Sequence, residues 1–158
     1  CFGSWTYHVR EFFPSPDQLI QVGIRATGKD RGHWEKLGLT QHWASEIHQR
    51  GMPAVTQDVI AAYKRAGVEE VYISFDIDAL DAQWAGATGT PEDKGLDPVA
   101  CSEMIRQVAL EFPVTSADLM EVAPMVNHNF MPNLSQETTL MTAASMARIL
   151  ARAMGSDA

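Results

Sequence analysis

The chain alternates between short continuous apolar runs and longer stretches whose apolar residues recur at helical spacing. "LIQVGIR", Leu19 to Arg25, is an apolar run with β-branched residues, ended by polar residues and Gly28, and it predicts a buried strand. The polar "KDRGHWEKLG" that follows suits a short helix or a turn. "ASEIHQRG" ends in Gly51 and predicts a helix of about two turns with a glycine cap. Pro53 then opens "PAVTQDVIAAYKRAG", where Val55, Val59, Ala62, Tyr63 and Ala66 keep helical spacing until Gly67 closes the element.

The second half repeats the alternation. "EVYISFD", Glu70 to Asp76, is a run of β-branched and aromatic residues that predicts a strand buried on both faces. A long loop from Ile77 to Leu96, rich in glycine and broken by Pro91, follows it. Asp97 and Pro98 supply an N-cap and a first-turn proline for a helix over Pro98 to Glu111. "VTSADLMEV", Val114 to Val122, predicts another strand, and Ala123 to Leu134 a second loop. The last helix is expected from Ser135 to Met154, with Ser135 as N-cap and an incomplete capping box, because Thr138 stands at its third position. Strands alternating with helices define an α/β class: helices on both faces of a mostly parallel sheet, a three-layer α/β/α sandwich. The chain has no internal repeat and no low-complexity segment.

At 158 residues the chain suits one domain with a sizeable core. Its formal net charge of −8 argues against nonspecific nucleic-acid binding and suits a cationic small-molecule partner. No apolar stretch approaches the ~20 residues of a membrane span, and the first ten residues lack the pattern of a signal peptide. Two cysteines, Cys1 and Cys101, make no disulfide framework, so a reducing, cytoplasmic setting is expected.

The chemistry concentrates in "SFDIDALDA", Ser74 to Ala82, where Asp76, Asp78 and Asp81 crowd together after an apolar run. In α/β folds, ligands bind beyond the carboxyl ends of the strands. Residues two apart on an extended chain face the same way, so Asp76 and Asp78 are expected to aim at one point with Ile77 turned away. Two carboxylates on one point call for a cation, and their oxygens suit a divalent ion such as manganese or magnesium.

The longer stretch "SFDIDALDAQWAGATGTPEDKGL" resembles the signature of the ureohydrolase family, which includes arginases and agmatinases. The matching residues are Asp76, Ile77, Asp78, Leu80, Asp81, Thr88, Gly89, Thr90, Pro91, Gly95 and Leu96. "DLMEVAP", Asp118 to Pro124, resembles the family's D-[VL]-x-E-V-x-P, and "IQVGIR" its V-Q-[IV]-G-I-R strand. The resemblance covers nearly the whole chain. It implies the α/β/α fold and hydrolysis of a guanidino group to urea and an amine at two manganese ions that share a water. It makes Asp76 and Asp78 metal ligands, Glu121 the acceptor of the substrate guanidinium and Thr90 a catalytic neighbour of that glutamate, with Asp81 in the supporting loop. It also implies a trimer or hexamer of identical chains.

Several residues depart from the family pattern. The upstream histidine and the D-x-H-x-D segment that complete the metal site do not occur here. The five histidines, His8, His33, His42, His48 and His128, show no ligand spacing and are expected to be structural or on the surface. The chain therefore reads as residues 1–158 of the C-terminal portion of a single ureohydrolase-like domain, expected to be inactive alone. Phe2 stands where the family has a proton-shuttling histidine, Ala82 replaces a proline, Lys94 the first glycine of G-G-L, and Asn127 an aspartate. These changes point away from arginine and leave an agmatinase-like guanidino substrate as the expectation. The alternative is a non-catalytic binding or regulatory subunit on the same fold. A haloacid-dehalogenase-like phosphatase fits less well, because Ala79 and Leu80 stand where its D-x-D-G-T motif needs glycine and threonine.

Overall fold

The computed structural model describes residues 4–25, 28–126 and 132–155. The residues group into two compact units, Cys1–Val68 and Glu69–Ala158. Each is an α/β unit with one parallel pair of strands.

The first unit opens with a short helix α1, Trp5–Val9, and two 3-10 turns, Arg10–Phe12 and Pro16–Gln18. Strand β1, Ile20–Ile24, pairs in parallel with β2, Thr40–Trp43, across the helix α2, Arg31–Lys36. The expected strand is present, but it is mostly half-buried, and its ladder is irregular between Val22 and Ile24, where Gly23 has φ 91°. Helix α2 is capped by the Asp30 side chain, which accepts from the His33 amide. Helix α3, Ala44–Arg50, ends at Gly51 in a left-handed conformation (φ 83°), as its sequence predicts. Helix α4, Met52–Arg65, begins one residue before Pro53 and buries Val55, Val59, Ile60 and Ala62.

In the second unit β3, Val71–Asp76, pairs in parallel with β4, Val114–Met120, in a register that sets Ser74 beside Asp118 and Asp76 beside Met120. Helix α5, Pro98–Glu111, lies between them in sequence, with the Asp97 carboxylate accepting from the amides of Val99 and Ala100. Helix α6, Pro132–Ala153, starts three residues before the expected Ser135. It packs on α5 and β4. Val71, Phe75, Ile105, Val108, Val114, Met146 and Leu150 form this unit's core with the wholly buried Ile77 and Leu80. Burial pushes the Cys101 thiol up to about 12, so it is an inert core group.

One expectation fails here. The run Glu70 to Asp76 was expected to be buried on both faces, yet only Val71 and Phe75 are, and Tyr72 on the opposite face is 54% exposed. That face is polar: the Asp118 carboxylate accepts from the hydroxyls of Ser74 (2.9 Å) and Tyr72. Within residues 1–158, β3 therefore shows the half-buried alternation of a strand covered on one side. Among the described residues, no helix is long and apolar enough to cross a membrane.

Candidate functional site

Asp76 is the last residue of β3, and the chain then folds into a 3-10 turn, Ile77–Ala79. Strand alternation does not bring Asp76 and Asp78 together, because Asp78 has already left the extended conformation. A turn does it instead: Asp76 Oδ1 accepts from the Asp78 amide at 3.2 Å, while Ile77 is driven wholly into the core. The two carboxyl groups come within hydrogen-bonding reach of one another. Partial enclosure, then the charge of Asp78 and more weakly that of Glu121, pushes the Asp76 carboxyl up to about 6.

Glu121 lies one residue beyond β4. It has φ 62°, a left-handed conformation uncommon for any residue but glycine, and this ends the strand two residues short of the expected Val122. Since β3 and β4 are adjacent and parallel, the turn stations Glu121 at the same strand ends as Asp76.

The loop from Ala87 to Thr90 ties these groups together. Ala87 accepts from the Ala123 amide at 3.0 Å and donates its own amide to Thr139 Oγ1 at 2.9 Å. Thr90 Oγ1 donates to Asp78 Oδ2 at 2.7 Å, so the threonine expected beside Glu121 is bonded to the aspartate. The residue at Glu121 is Gly89: a Cβ placed there would lie 3.5 Å from Glu121 Oε2. Asp81 closes the base of the loop, its two carboxylate oxygens accepting from the amides of Gln83 and Gly95. Lys94, at the family's glycine position, has φ 60°.

The donor set at Asp76 and Asp78 fits a divalent ion that favours oxygen, because two adjacent carboxylates are strained by their own charge until a cation binds. It supplies only part of a coordination shell. A group of three metal-type donors mutually within 4.8 Å lies elsewhere, at His42, Glu46 and Asp58 in the first unit. His42 is buried with Nδ1 3.4 Å from Glu46 Oε1, which gives that histidine a polar anchoring role that spacing along the chain did not reveal. A cation already sits in this group. Arg50 reaches Glu46 and Asp58 at 2.5 Å each, and Arg31 reaches the other oxygen of Glu46 at 2.9 Å. Burial alone would raise the Glu46 carboxyl, but the bonds from Arg50 and His42 and the charge of Arg31 hold it below its ordinary range. Phe2, at the position of the family's proton-shuttling histidine, Asn127, at that of its aspartate, and His128 lie outside the described residues.

Residues 2–154 match the model of the arginase family. The chain is 34% identical to the guanidinobutyrase of Pseudomonas aeruginosa over 111 residues, covering 68% of this chain and 34% of that protein. It is 32% identical to the agmatinase of Chromobacterium violaceum over 139 residues, covering 88% of this chain and 38% of that protein. Among solved structures, the arginase of Bacillus caldovelox superposes with a TM-score of 0.62 at 26% identity, over 82% of this chain and 43% of that one. The chain thus spans less than half the length of each of these proteins. The folded arrangement and the sequence match agree, and the chain belongs to the arginase family.

Proposed function

We propose that this chain carries the C-terminal part of a manganese-dependent hydrolase that cleaves a guanidino compound, agmatinase-like, to urea and an amine. The observation that carries the reading is the gathering of Asp76, Asp78 and Glu121 at the ends of two adjacent parallel strands, in a chain of the arginase family. Similarity to a guanidinobutyrase and an agmatinase favours a guanidino substrate other than arginine.

Asp76 and Asp78 would hold the metal, with Thr90 fixing the rotation of the Asp78 carboxylate through its 2.7 Å hydrogen bond. The chemistry that two such ions supply when bound is a lowered pKa for water, which makes hydroxide available near neutral pH. Glu121 would accept two parallel N–H bonds from the planar guanidinium and so present its carbon to the nucleophile. Attack at that carbon, proton transfer to the leaving nitrogen and C–N cleavage give urea and the amine. The remaining ligands are expected from sequence upstream of Cys1, so residues 1–158 alone are expected to be inactive. The formal charge of −8 suits a cationic substrate. A cytoplasmic homo-oligomer, trimer or hexamer, completes the proposal.

The test is urea release by the full-length gene product with manganese, using agmatine, 4-guanidinobutyrate and arginine. Turnover of one of the first two is expected. Absence of urea from all three, with manganese bound, would favour the non-catalytic reading.

A further inference from the structure

Gly89 is the one residue of the Ala87–Thr90 loop whose missing side chain opens towards the site. A methyl group there would lie 3.5 Å from Glu121 Oε2, an ordinary van der Waals contact that needs no movement of the carboxylate. It would, however, occupy otherwise open space beside that oxygen, where a donor nitrogen at the ~2.9 Å of an N–H···O bond could otherwise sit. The loop side is tied down, by Ala87 to Ala123 and Thr139 and by Thr90 to Asp78. Relief would have to come from rotation of the Glu121 side chain, which moves the carboxylate away from this position. Gly89 itself has no positive φ, so backbone freedom does not explain a glycine here.

We propose that Gly89 is a positioning residue that keeps one face of Glu121 Oε2 clear, so that the carboxylate can receive a guanidinium through both oxygens. The inference rests on the reading of Glu121 as the guanidinium acceptor and adds a specificity device to it. A bidentate fork needs both oxygens open, and a side chain at position 89 would leave one oxygen usable. The effect belongs to the guanidinium end of the substrate and is indifferent to the tail.

The experiment measures the KM of agmatine and of 4-guanidinobutyrate in urea release by the manganese-loaded full-length gene product, for wild type, Gly89→Ala, Gly89→Ser, Glu121→Gln and the Gly89→Ala/Glu121→Gln pair. Manganese content and Tm are recorded for each. Gly89→Ala is expected to raise both KM values about tenfold, the scale of one charge-assisted hydrogen bond, with metal content and Tm unchanged. Gly89→Ser, whose hydroxyl can itself donate to Oε2, should raise them at least as much. In the Glu121→Gln background, Gly89→Ala should add little. Wild-type KM in both Gly89 variants, with that of Glu121→Gln raised, overturns the role of Gly89 and leaves that of Glu121 standing. An equal rise from Gly89→Ala with and without Glu121 also overturns it. Wild-type KM in Glu121→Gln overturns the reading of Glu121, and the inference with it.

Discussion

Both units gather carboxylates, and they deal with the charge in opposite ways. In the first unit, Glu46 and Asp58 share Arg50, and Arg31 holds the other side of Glu46. The carboxylates are neutralised by the chain itself, and the Glu46 carboxyl is held below its ordinary range. In the second unit, partial enclosure first, and then the negative charges of Asp78 and Glu121, push the Asp76 carboxyl up to about 6. A chain-supplied guanidinium makes a finished ion network. Like charges gathered at strand ends would be relieved by a cation from outside, as the proposed function requires. Counting donor atoms alone favours the first cluster, because His42, Glu46 and Asp58 lie mutually within 4.8 Å. Counting charge favours the second.

The largest effect that separates the two regions is on catalysis. Asp78→Asn in the full-length gene product should lose manganese and lower urea release by more than the roughly 100-fold of an outer-shell change, with the fold intact. Elemental analysis and a urea assay check it. Normal metal content with normal turnover would remove Asp78 from the site.

A smaller effect lies in the sign of the pH dependence. Asp76 binds its proton more tightly folded than unfolded, where an aspartate titrates near 3.9. The folded state then holds more protons between about pH 4 and 6, so the Asp76 contribution to stability in the metal-free protein falls as pH rises through that window. Glu46 has the opposite sign. Its contribution is complete above the unfolded value near 4.3 and is lost as pH falls below it. Thermal melts of metal-free wild type and Asp76→Asn from pH 3.5 to 7 read the difference. The variant should gain on wild type between pH 4 and 6 and be the more stable at neutral pH. A constant gap across that range would contradict the account.

The sequence made some of this legible and left some hidden. The Asp97–Pro98 start of α5, the Gly51 end of α3 and the apolar run of β3 are local signals, and the structure follows them. β2 was missed because Thr40, Gln41 and His42 are polar, although the last two are buried, and burial comes from the fold. The closeness of Asp76 and Asp78 could be read from their spacing, but its cause is a side-chain turn that alternation does not describe. Gly89 was visible as a motif glycine. Its approach to Glu121 depends on two segments over thirty positions apart, and on a left-handed glutamate that no local pattern announces. The ion network was hidden for the same reason, since Asp58 comes from α4 and His42 from β2.

The smallest effect is on the loop that supports the site. Lys94 takes φ 60° where the family has glycine, a conformation that costs a residue with a Cβ roughly 1 kcal/mol. Lys94→Gly should stabilise the protein by about that much in urea unfolding, without changing metal content. Destabilisation would mean that the lysine side chain contributes more than its backbone costs.

The central claim is that the Asp76–Asp78 pair awaits an external cation whereas the Glu46–Asp58 pair already has one. The most direct test is the rise in Tm of the full-length gene product on adding manganese at pH 7, for wild type, Asp78→Asn and Glu46→Gln. Binding to the folded state alone stabilises by about 4 kcal/mol at a thousandfold excess over Kd, so the wild-type shift should be several degrees. Glu46→Gln should start from a lower Tm and keep the full shift, while Asp78→Asn should lose it. A shift that survives in Asp78→Asn and disappears in Glu46→Gln would place the metal in the wrong unit and contradict the account.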